Sequence, residues 1–314
     1  MIDIPFPTAI DSTMRAAFSA CPTKFFNSYL LKKTASSNKS VHLVFGGAYA
    51  AALEAMRQSY YGTESGNLNA AREAGAQALV RHWHNEGYDP NPEGTPKTLA
   101  NCLRAFDSYL DFWRPADDHL APLELSAGKF AIEFSFALPI PGIYHPETQE
   151  PLLYSGRFDM LAQGRKGALY VVDDKTAGQL GKTLTSSMRL KSQFTGYVWA
   201  CQQFGYNVQH VIIRATQTLK TKIEHVELVE ERPQYLIDRW LDQLRRDCTR
   251  MIFMWDNFTI CDLPFDRSLD EACGSYGGCE FADACAAVNP QEYLETFYSH
   301  REWDPLSLTK VEAQ

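Results

Sequence analysis

The sequence predicts a mixed α/β core preceded by a helical N-terminal region. Three observations lead to this prediction. Apolar residues recur at three- and four-residue spacing through the first third of the chain, which is typical of helices. Alternating, aromatic-rich stretches begin at Lys129, and a helical stretch separates them from two more strand-like stretches. Strands and helices that alternate in this way are typical of an α/β core.

The helical region is expected to cover residues 1–127. Its predicted helices are 12–33, one that begins at Gly46 with "GGAYAAALEAMRQSYY", 66–86 and 97–114. The α/β core is expected at 128–230. A C-terminal helix from about Pro233 to Trp255 and a cysteine-rich end make up 231–314. These three regions are predicted to form one domain.

The core contains five predicted strands and one helix. "KFAIEFSFALPI" reads as a strand ended by Pro139 and Pro141. "YSGRFDMLA" and "GALYVVDDK" read as two strands joined by the turn "QGRKG". The helix "SQFTGYVWACQQFG" ends at Gly205, and "VQHVIIRATQ" and "KIEHVELVE" return to strand.

Composition limits the classes of function. The chain has 314 residues, of which 45% are hydrophobic, so it can bury a substantial core. No apolar run approaches the ~20 residues of a membrane helix and the start does not resemble a signal peptide, so a cytoplasmic location without membrane association is expected. The net charge of -8 argues against an extended basic surface. Binding of a polyanion is therefore expected only in a local cleft.

Two aspartates and a lysine end a strand that otherwise looks buried. Asp173 and Lys175 share one face of this strand, while Asp174 points to the other. If "QGRKG" pairs Ala162 with Ala168, Asp159 lies on the face of Asp173, diagonal to it. A four-residue connection would place Asp159 on the wrong face.

Two adjacent carboxylates repel each other, and a divalent cation removes that penalty. Mg²⁺ or Mn²⁺ is the expected ion. Such an ion activates water for attack on phosphorus, and a nearby lysine stabilises the transition state. The pattern therefore indicates phosphodiester hydrolysis.

These motifs resemble those of the PD-(D/E)XK nucleases and, through "QFTGY", their RecB-like branch. The segment "MRAAFSACPTKFFNSYL" is similar to the N-terminal Cys-Pro segment of that branch. The resemblance implies a restriction-endonuclease-like core, a central mixed sheet flanked by helices. It also implies that Asp159 and Asp173 bind metal, with the carbonyl of Asp174, that Lys175 is catalytic, and that Gln193 and Tyr197 position the substrate strand. A helix-surface pair is the alternative for the last two residues.

One family position is absent. Many RecB-like nucleases have a metal-binding histidine in a Gly-xxx-His-xx-Leu-Glu pattern, where "GGAYAAALE" has Ala50. Glu133 in "AIEFSF" is a candidate auxiliary ligand, with a solvent-facing strand residue as the alternative. Lys182, Arg189 and Lys191 are candidate phosphate contacts, or ordinary residues of a solvated segment.

The cysteines fall into two groups. Cys102, Cys201, Cys248 and Cys261 are isolated and are expected to be buried small hydrophobes. Cys273, Cys279 and Cys285 follow each other at even spacing in a Gly-rich loop, and Cys21 is the candidate fourth ligand of a closed site. The resemblance implies a [4Fe-4S] cluster at these four positions, although the spacing is wider than usual. Zn²⁺ is the competing metal, and unliganded thiols are the third alternative.

The expected function is that of a metal-dependent DNA exonuclease. No Walker-type sequence occurs, so the chain is not expected to contain an ATP motor. The resemblance points to nucleases of phage or bacterial recombination, repair or degradation, or to CRISPR-adaptation nucleases. It implies a DNA substrate with a free end or single-stranded region, and a recombination or adaptation protein as partner. The alternative is a noncatalytic DNA-end-binding or assembly subunit, which the missing histidine favours.

Overall fold

The structure is a computed structural model that describes residues 4–35, 40–62, 66–269, 271–274 and 278–307. The chain divides into two compact units. The sheet unit comprises residues 39–134 and 157–237, and the terminal unit comprises residues 1–38, 135–156 and 238–314. The two ends of the chain therefore belong to the same unit.

The strands within the described residues are, in chain order, β1 Ala9–Asp11, β2 Lys33–Ala35, β3 Leu120–Pro122, β4 Glu124–Ser126, β5 Lys129–Phe130, β6 Ile132–Tyr144, β7 Pro151–Gly164, β8 Leu169–Ala177, β9 Val208–Thr218, β10 Ile223–Glu231 and β11 Tyr298–His300. The α-helices are α1 Ser12–Ala20, α2 Pro22–Phe25, α3 Val41–Tyr61, α4 Leu68–Asn85, α5 Leu99–Phe112, α6 Lys182–Arg189, α7 Ser192–Gln203, α8 Gln234–Cys261, α9 Glu271–Gly274, α10 Ala282–Ala286 and α11 Pro290–Phe297. A π-helix, Phe26–Leu30, follows α2.

The sheet unit is built on a mixed sheet. β7 and β8 are antiparallel, β8 and β9 are parallel, and β9 and β10 are antiparallel. β9 is buried along most of its length, as expected for a strand that is covered on both faces. α3 packs against β8, α5 against β9 and β10, and α7 against β9. The unit is therefore an α/β fold with a mixed central sheet flanked by helices.

Helices α3, α4 and α5 share one apolar core. Phe45, Tyr49 and Leu53 repeat at four-residue spacing on α3 and are fully buried. Gly75 allows α4 to approach closely, because a Cβ at this position would lie 2.3 Å from the Phe106 ring and 2.9 Å from the carbonyl of Ala52. This packing fixes the position of α3 and α5 against the sheet.

The terminal unit joins the beginning and the end of the chain. β2 pairs antiparallel with β11. Arg15 on α1 and Asp247 on α8 form a buried ion pair of 2.7 Å. The indole N–H of Trp255 donates a 2.8 Å hydrogen bond to the carbonyl of Ile4. β6 and β7 run through both units, since 135–156 contains the end of β6 and the beginning of β7.

Three sequence predictions of secondary structure were wrong. The helix predicted to begin at Gly46 begins five residues earlier, at Val41. The helix predicted for 12–33 is interrupted at Cys21, whose extended backbone (φ -162°, ψ 117°) precedes Pro22. A residue before proline is disfavoured in helical conformation, so α1 ends there and Pro22 starts α2. Pro139 and Pro141 do not end their strand, because β6 runs on to Tyr144.

No helix in the described ranges combines the length and apolarity that a membrane crossing requires.

Candidate active site

Asp159 and Asp173 lie on neighbouring antiparallel strands. The register of β7 and β8 pairs Met160 with Val172, so the next pair brings Asp159 opposite Asp173. Asp159 Oδ2 accepts a 2.5 Å hydrogen bond from the backbone N–H of Asp174. Side chains directly opposite each other share one face of the sheet. The structure thus brings the two predicted carboxylates together.

The predicted strand register was nevertheless wrong. Ala162 pairs with Tyr170 and not with Ala168, which moves β8 by two residues along β7. Because side chains alternate with a period of two, this shift leaves Asp159 on the same face. Asp159 is therefore opposite Asp173 where a diagonal neighbour was predicted.

Lys175 lies next to Asp173 on the same face of β8. Its Nζ is 2.5 Å from Asp173 Oδ2, and the Asp173 side chain is 3% exposed. Asp173 Oδ2 is buried and, among the described residues, receives no aligned hydrogen bond. The contact with Lys175 is therefore an ion pair between a buried carboxylate and a half-buried ammonium.

The carboxylates on this face repel one another. Burial raises the pKa of Asp159 well above its ordinary value, and the negative charges of Asp173 and Asp174 raise it further. Burial by itself would lower the pKa of Lys175, but Asp173 and Asp159 reverse the direction and raise it. Lys175 is therefore held as an ammonium beside the carboxylates of Asp159 and Asp173.

Asp174 faces away from this pair, as the strand alternation predicts. Its Oδ2 accepts a 2.6 Å hydrogen bond from Arg57 on α3, and its Oδ1 accepts a 2.8 Å hydrogen bond from the Tyr109 hydroxyl on α5. Arg57 also donates to the Tyr109 oxygen at 2.8 Å. We call these three buried residues the Asp174 clamp. It ties β8 to both helices directly beside Asp173.

The Asp174 clamp was not found from the sequence. A signal existed, because Arg57 continues the four-residue spacing of Phe45, Tyr49 and Leu53 on α3. An arginine on an apolar helix face requires a buried acid. The sequence does not show that the acid is Asp174, which lies 117 positions further along the chain.

Glu133 lies near the carboxylates in a strained backbone conformation. It has a positive φ of 52°, which is uncommon for a residue other than glycine. Arg157 Nε lies 2.8 Å from its Oε2. Burial raises the pKa of Glu133 to about 7, against the opposing effect of Arg157. Its charge also raises the pKa of Asp159, so the candidate auxiliary ligand lies within electrostatic reach of the pair.

Gln193 and Tyr197 form a side-chain pair on α7. Gln193 Nε2 donates a 2.6 Å hydrogen bond to the Tyr197 oxygen. The Tyr197 ring packs 5.2 Å from the ring of Phe158, the residue before Asp159. The pair is therefore positioned by the same strand that carries the first carboxylate.

The three candidate phosphate contacts differ. Burial lowers the pKa of Lys191, and the charge of Lys175 lowers it further, so Lys191 lies within electrostatic reach of the carboxylate face. Lys182 and Arg189 are exposed on α6. In the described part of the chain no contact joins either of them to Asp159, Asp173 or Lys175.

The carboxylates of this face form a donor set for a divalent ion. Among the described residues, no group of three or more histidine, cysteine, aspartate or glutamate side chains is arranged to hold a metal. Mg²⁺ does not need such a group, since it usually keeps several waters and binds one or two carboxylates. Burial and the negative charges of Asp173 and Asp174 raise the pKa of Asp159, which indicates that a cation would be stabilised here. The residues therefore fit this ion.

The cysteines predicted to form a cluster come together in the terminal unit. Burial raises the pKa of Cys285, and Cys279, Cys21 and Cys273 raise it further by charge repulsion. The backbone N–H of Ser268 donates to Cys21 Sγ at 3.4 Å. Residues 275–277 of the predicted Gly-rich loop lie outside the described residues. The four thiols are neighbours, although in the described ranges they do not adopt a metal-site geometry.

The isolated cysteines follow the prediction with one exception. Cys102, Cys201 and Cys248 are fully buried. Cys261 is exposed, so the prediction that it packs as a small hydrophobe was wrong. It is the last residue of α8, where the apolar face of the helix ends.

Comparisons with known proteins support this description. The family model of the PD-(D/E)XK nuclease superfamily matches residues 13–286. The solved structure of a "Putative exonuclease" from Eubacterium rectale aligns with a TM-score of 0.50 at 9% identity, over 85% of this chain and 87% of its own. That likeness concerns the fold alone. The structure of SSO0001 aligns at 14% identity over 66% of this chain and 75% of its own, with a TM-score of 0.27 that carries no argument. No curated protein matches the sequence.

Proposed function

The chain belongs to the PD-(D/E)XK nuclease superfamily, and from this premise we propose that it is a divalent-metal-dependent deoxyribonuclease that acts on DNA ends. One observation carries the proposal, namely the face on which Asp159 lies opposite Asp173 and Lys175 pairs with Asp173. On this face a buried carboxylate, Asp173, and a half-buried one, Asp159, lie beside the Lys175 ammonium, and a bound Mg²⁺ or Mn²⁺ would relieve the repulsion between the two acids.

In this proposal Asp159 and Asp173 hold the ion, with the carbonyl of Asp174 and the carboxylate of Glu133 as further ligands. A bound divalent ion supplies a water of lowered pKa and neutralises charge on the leaving oxygen. The Lys175 ammonium stabilises the negative charge that develops on the phosphoryl oxygens. Gln193 and Tyr197 position the substrate strand, and Lys191 adds a positive charge near the same face.

Exonuclease activity is the finer part of the proposal. Two observations support it. The Eubacterium rectale protein of similar fold is named as an exonuclease, and "QFTGY" resembles the motif of RecB-like nucleases. A role in phage or bacterial DNA recombination, repair or degradation, with a recombination or adaptation protein as partner, follows from the same resemblance.

We further propose that Cys21, Cys273, Cys279 and Cys285 hold a [4Fe-4S] cluster, with Zn²⁺ as the alternative. The mutual electrostatic influence of these thiols supports the proposal, because it requires them to lie near one another. Hydrolysis transfers no electrons, so the cluster would be structural. Its role would be to join the ends of the terminal unit.

A noncatalytic DNA-end-binding subunit is the second candidate. The observation that favours it is Ala50, which is exposed on α3 at the position of the family's metal-binding histidine. The intact set of Asp159, Asp173 and Lys175 favours an enzyme. The two candidates differ in one measurable property, which is cleavage of DNA by the purified protein.

The deciding experiment incubates the protein with 5'- and 3'-labelled single- and double-stranded DNA in Mn²⁺ or Mg²⁺. The expected result is metal-dependent release of label from one end, lost in Asp173→Asn by at least about two to three orders of magnitude. Ser186→Ala, an exposed change on α6, is the matched control and should cleave normally. DNA binding without cleavage under all of these conditions would favour the noncatalytic candidate.

A further inference from the structure

A positively charged groove lies on the terminal unit along α8. It has a volume of about 600 Å³ and is lined by Gly142 and Ile143 of β6 and by an arginine-rich turn of α8. Arg245, Arg246 and Arg250 contribute three guanidinium groups within six residues. We call this site the arginine groove. Such a concentration of positive charge is unusual on a chain of net charge -8.

The acids on this part of α8 leave the positive charge largely uncompensated. Asp247 is buried and paired with Arg15 at 2.7 Å, so it does not face the groove. Asp242 lines the groove, but its Oδ1 is 3.9 Å from Arg245 Nη1, and both side chains are about half exposed. An exposed pair at that separation neutralises little charge.

Two of the guanidinium groups lie against neighbouring residues. Arg250 lies 5.4 Å from the centroid of the buried Phe18 ring. Arg245 approaches Gly142 so closely that a Cβ there would lie 3.2 Å from its Nη2. Gly142 has a φ of +74°, which also favours glycine over other residues. A guanidinium that is already positioned loses less conformational entropy when it binds an anion.

Arg246 and Arg250 are one helical turn apart, so their side chains project from the same side of α8. Planar guanidinium groups bind phosphate oxygens in a bidentate manner and are preferred at phosphate sites. A row of them in an open groove fits a chain of successive phosphates better than it fits a single anion. The polar side chains that line the groove are mainly guanidinium groups, which suits contacts to the phosphates of a backbone.

We propose that the arginine groove binds the phosphodiester backbone of DNA independently of sequence. This inference rests on the proposed function, which makes DNA the polyanion that the protein meets. The groove would add affinity by release of counterions, and this contribution falls as the salt concentration rises. Its role is in binding, so its loss should affect KM and affinity before kcat.

The test uses the full chain with Asp173→Asn to prevent hydrolysis, in the presence of a chelator. Binding of a short labelled DNA duplex is measured by fluorescence anisotropy between about 50 and 200 mM salt. The test variant carries Arg245→Gln, Arg246→Gln and Arg250→Gln. The matched control carries Arg72→Gln, Arg81→Gln and Arg104→Gln on α4 and α5, and it removes the same amount of charge from the surface of the other unit.

The groove variant is expected to bind DNA at least about tenfold more weakly, with a salt slope reduced by about two to three, while the control changes little. Replacement of the same three arginines by lysine should retain most of the slope, because the charge is kept. If the triple variant is unfolded by circular dichroism, Arg246→Gln alone should reduce the slope by about one.

Equal binding of DNA by the groove variant and the control would overturn the inference. The inference would also fail if the groove variant bound DNA normally but lost affinity for polyglutamate. That result would identify an acidic protein surface as the ligand. Because hydrolysis is blocked in this assay, failure of wild-type protein to cleave DNA would contradict the proposed function without affecting the result. If the wild-type protein cleaves DNA and the groove variant binds DNA with unaltered affinity, only the inference about the arginine groove is contradicted.

Discussion

The Arg57 guanidinium on α3 donates a 2.6 Å hydrogen bond to Asp174 Oδ2, and both side chains are less than 5% exposed. Burial by itself would lower the pKa of Arg57, but Asp174 and its other acidic neighbours raise it, so Arg57 is held as a charged guanidinium. A buried ion pair contributes little net stability, but removal of one partner leaves an uncompensated charge.

Arg57→Ala is therefore expected to lower the free energy of unfolding by about 3–5 kcal/mol, because it leaves Asp174 buried without its cation. Urea unfolding followed by circular dichroism measures this change. Arg72→Ala is the control, because Arg72 pairs with Asp107 and Asp111 at the exposed surface, and its loss should cost under about 1 kcal/mol. Equal losses in the two variants would contradict the buried pairing.

Lys175→Met should slow DNA cleavage by about two to three orders of magnitude without weakening Mn²⁺ binding. An ammonium is not a metal ligand, and its positive charge opposes a nearby cation. Isothermal titration with Mn²⁺ measures the affinity, and single-turnover cleavage measures the chemical step. Loss of Mn²⁺ affinity in Lys175→Met, with the fold intact, would contradict the role assigned to Lys175.

Glu133 should make the metal-free protein less stable as the pH rises from about 4.5 to about 7. Burial raises its folded-state pKa from 4.5 to about 7, so between these values the folded protein holds a proton that the unfolded chain has released. The unfolding free energy then falls with increasing pH. Glu133→Gln cannot titrate and should show a flatter profile in chelator.

Urea unfolding of both proteins at about pH 5 and about pH 8 gives the comparison, because the titrating groups that do not interact with Glu133 cancel in the difference. Wild type should lose more stability than Glu133→Gln over this interval. If wild type instead lost less stability than Glu133→Gln, the ionised carboxylate of Glu133 would be stabilised in the folded protein, mainly by Arg157.

Anaerobically purified protein is expected to be brown, and Cys21→Ala is expected to lose both the colour and thermal stability. Cys21 and Cys273 are 252 positions apart (273 - 21), and a link across so long a loop restricts the unfolded chain. By the estimate used for disulfides, the stabilisation is on the order of 5 kcal/mol. Iron, sulfide and zinc analysis, with thermal unfolding, measures both effects.

Cys261→Ala is the matched control, because Cys261 is exposed and should change neither property. Stoichiometric zinc without iron would replace the cluster by the alternative metal and leave the link between chain ends in place. If the protein contains neither iron nor zinc and Cys21→Ala is as stable as wild type, both the cluster and the link between the chain ends are contradicted.

The local part of the site could be predicted from the sequence. The alternation of Asp173, Asp174 and Lys175 along one strand assigns their faces, because side chains in a strand have a fixed period of two. For the same reason the face of Asp159 was correct even though the register was wrong by two residues. The boundaries of α4, α5 and α7 also followed closely, since their apolar spacing and end signals are local.

Other features were decided only by the tertiary structure. The partner of Arg57, the approach of Arg157 to Glu133 and the juxtaposition of Cys21 with the C-terminal cysteines all join residues that are far apart in sequence. A local pattern indicates that a buried charge or thiol needs a partner, but chain packing selects the partner. Tertiary structure also decides that β6 continues through Pro139 and Pro141. A proline interrupts a strand only where a neighbouring strand needs the N–H that proline lacks.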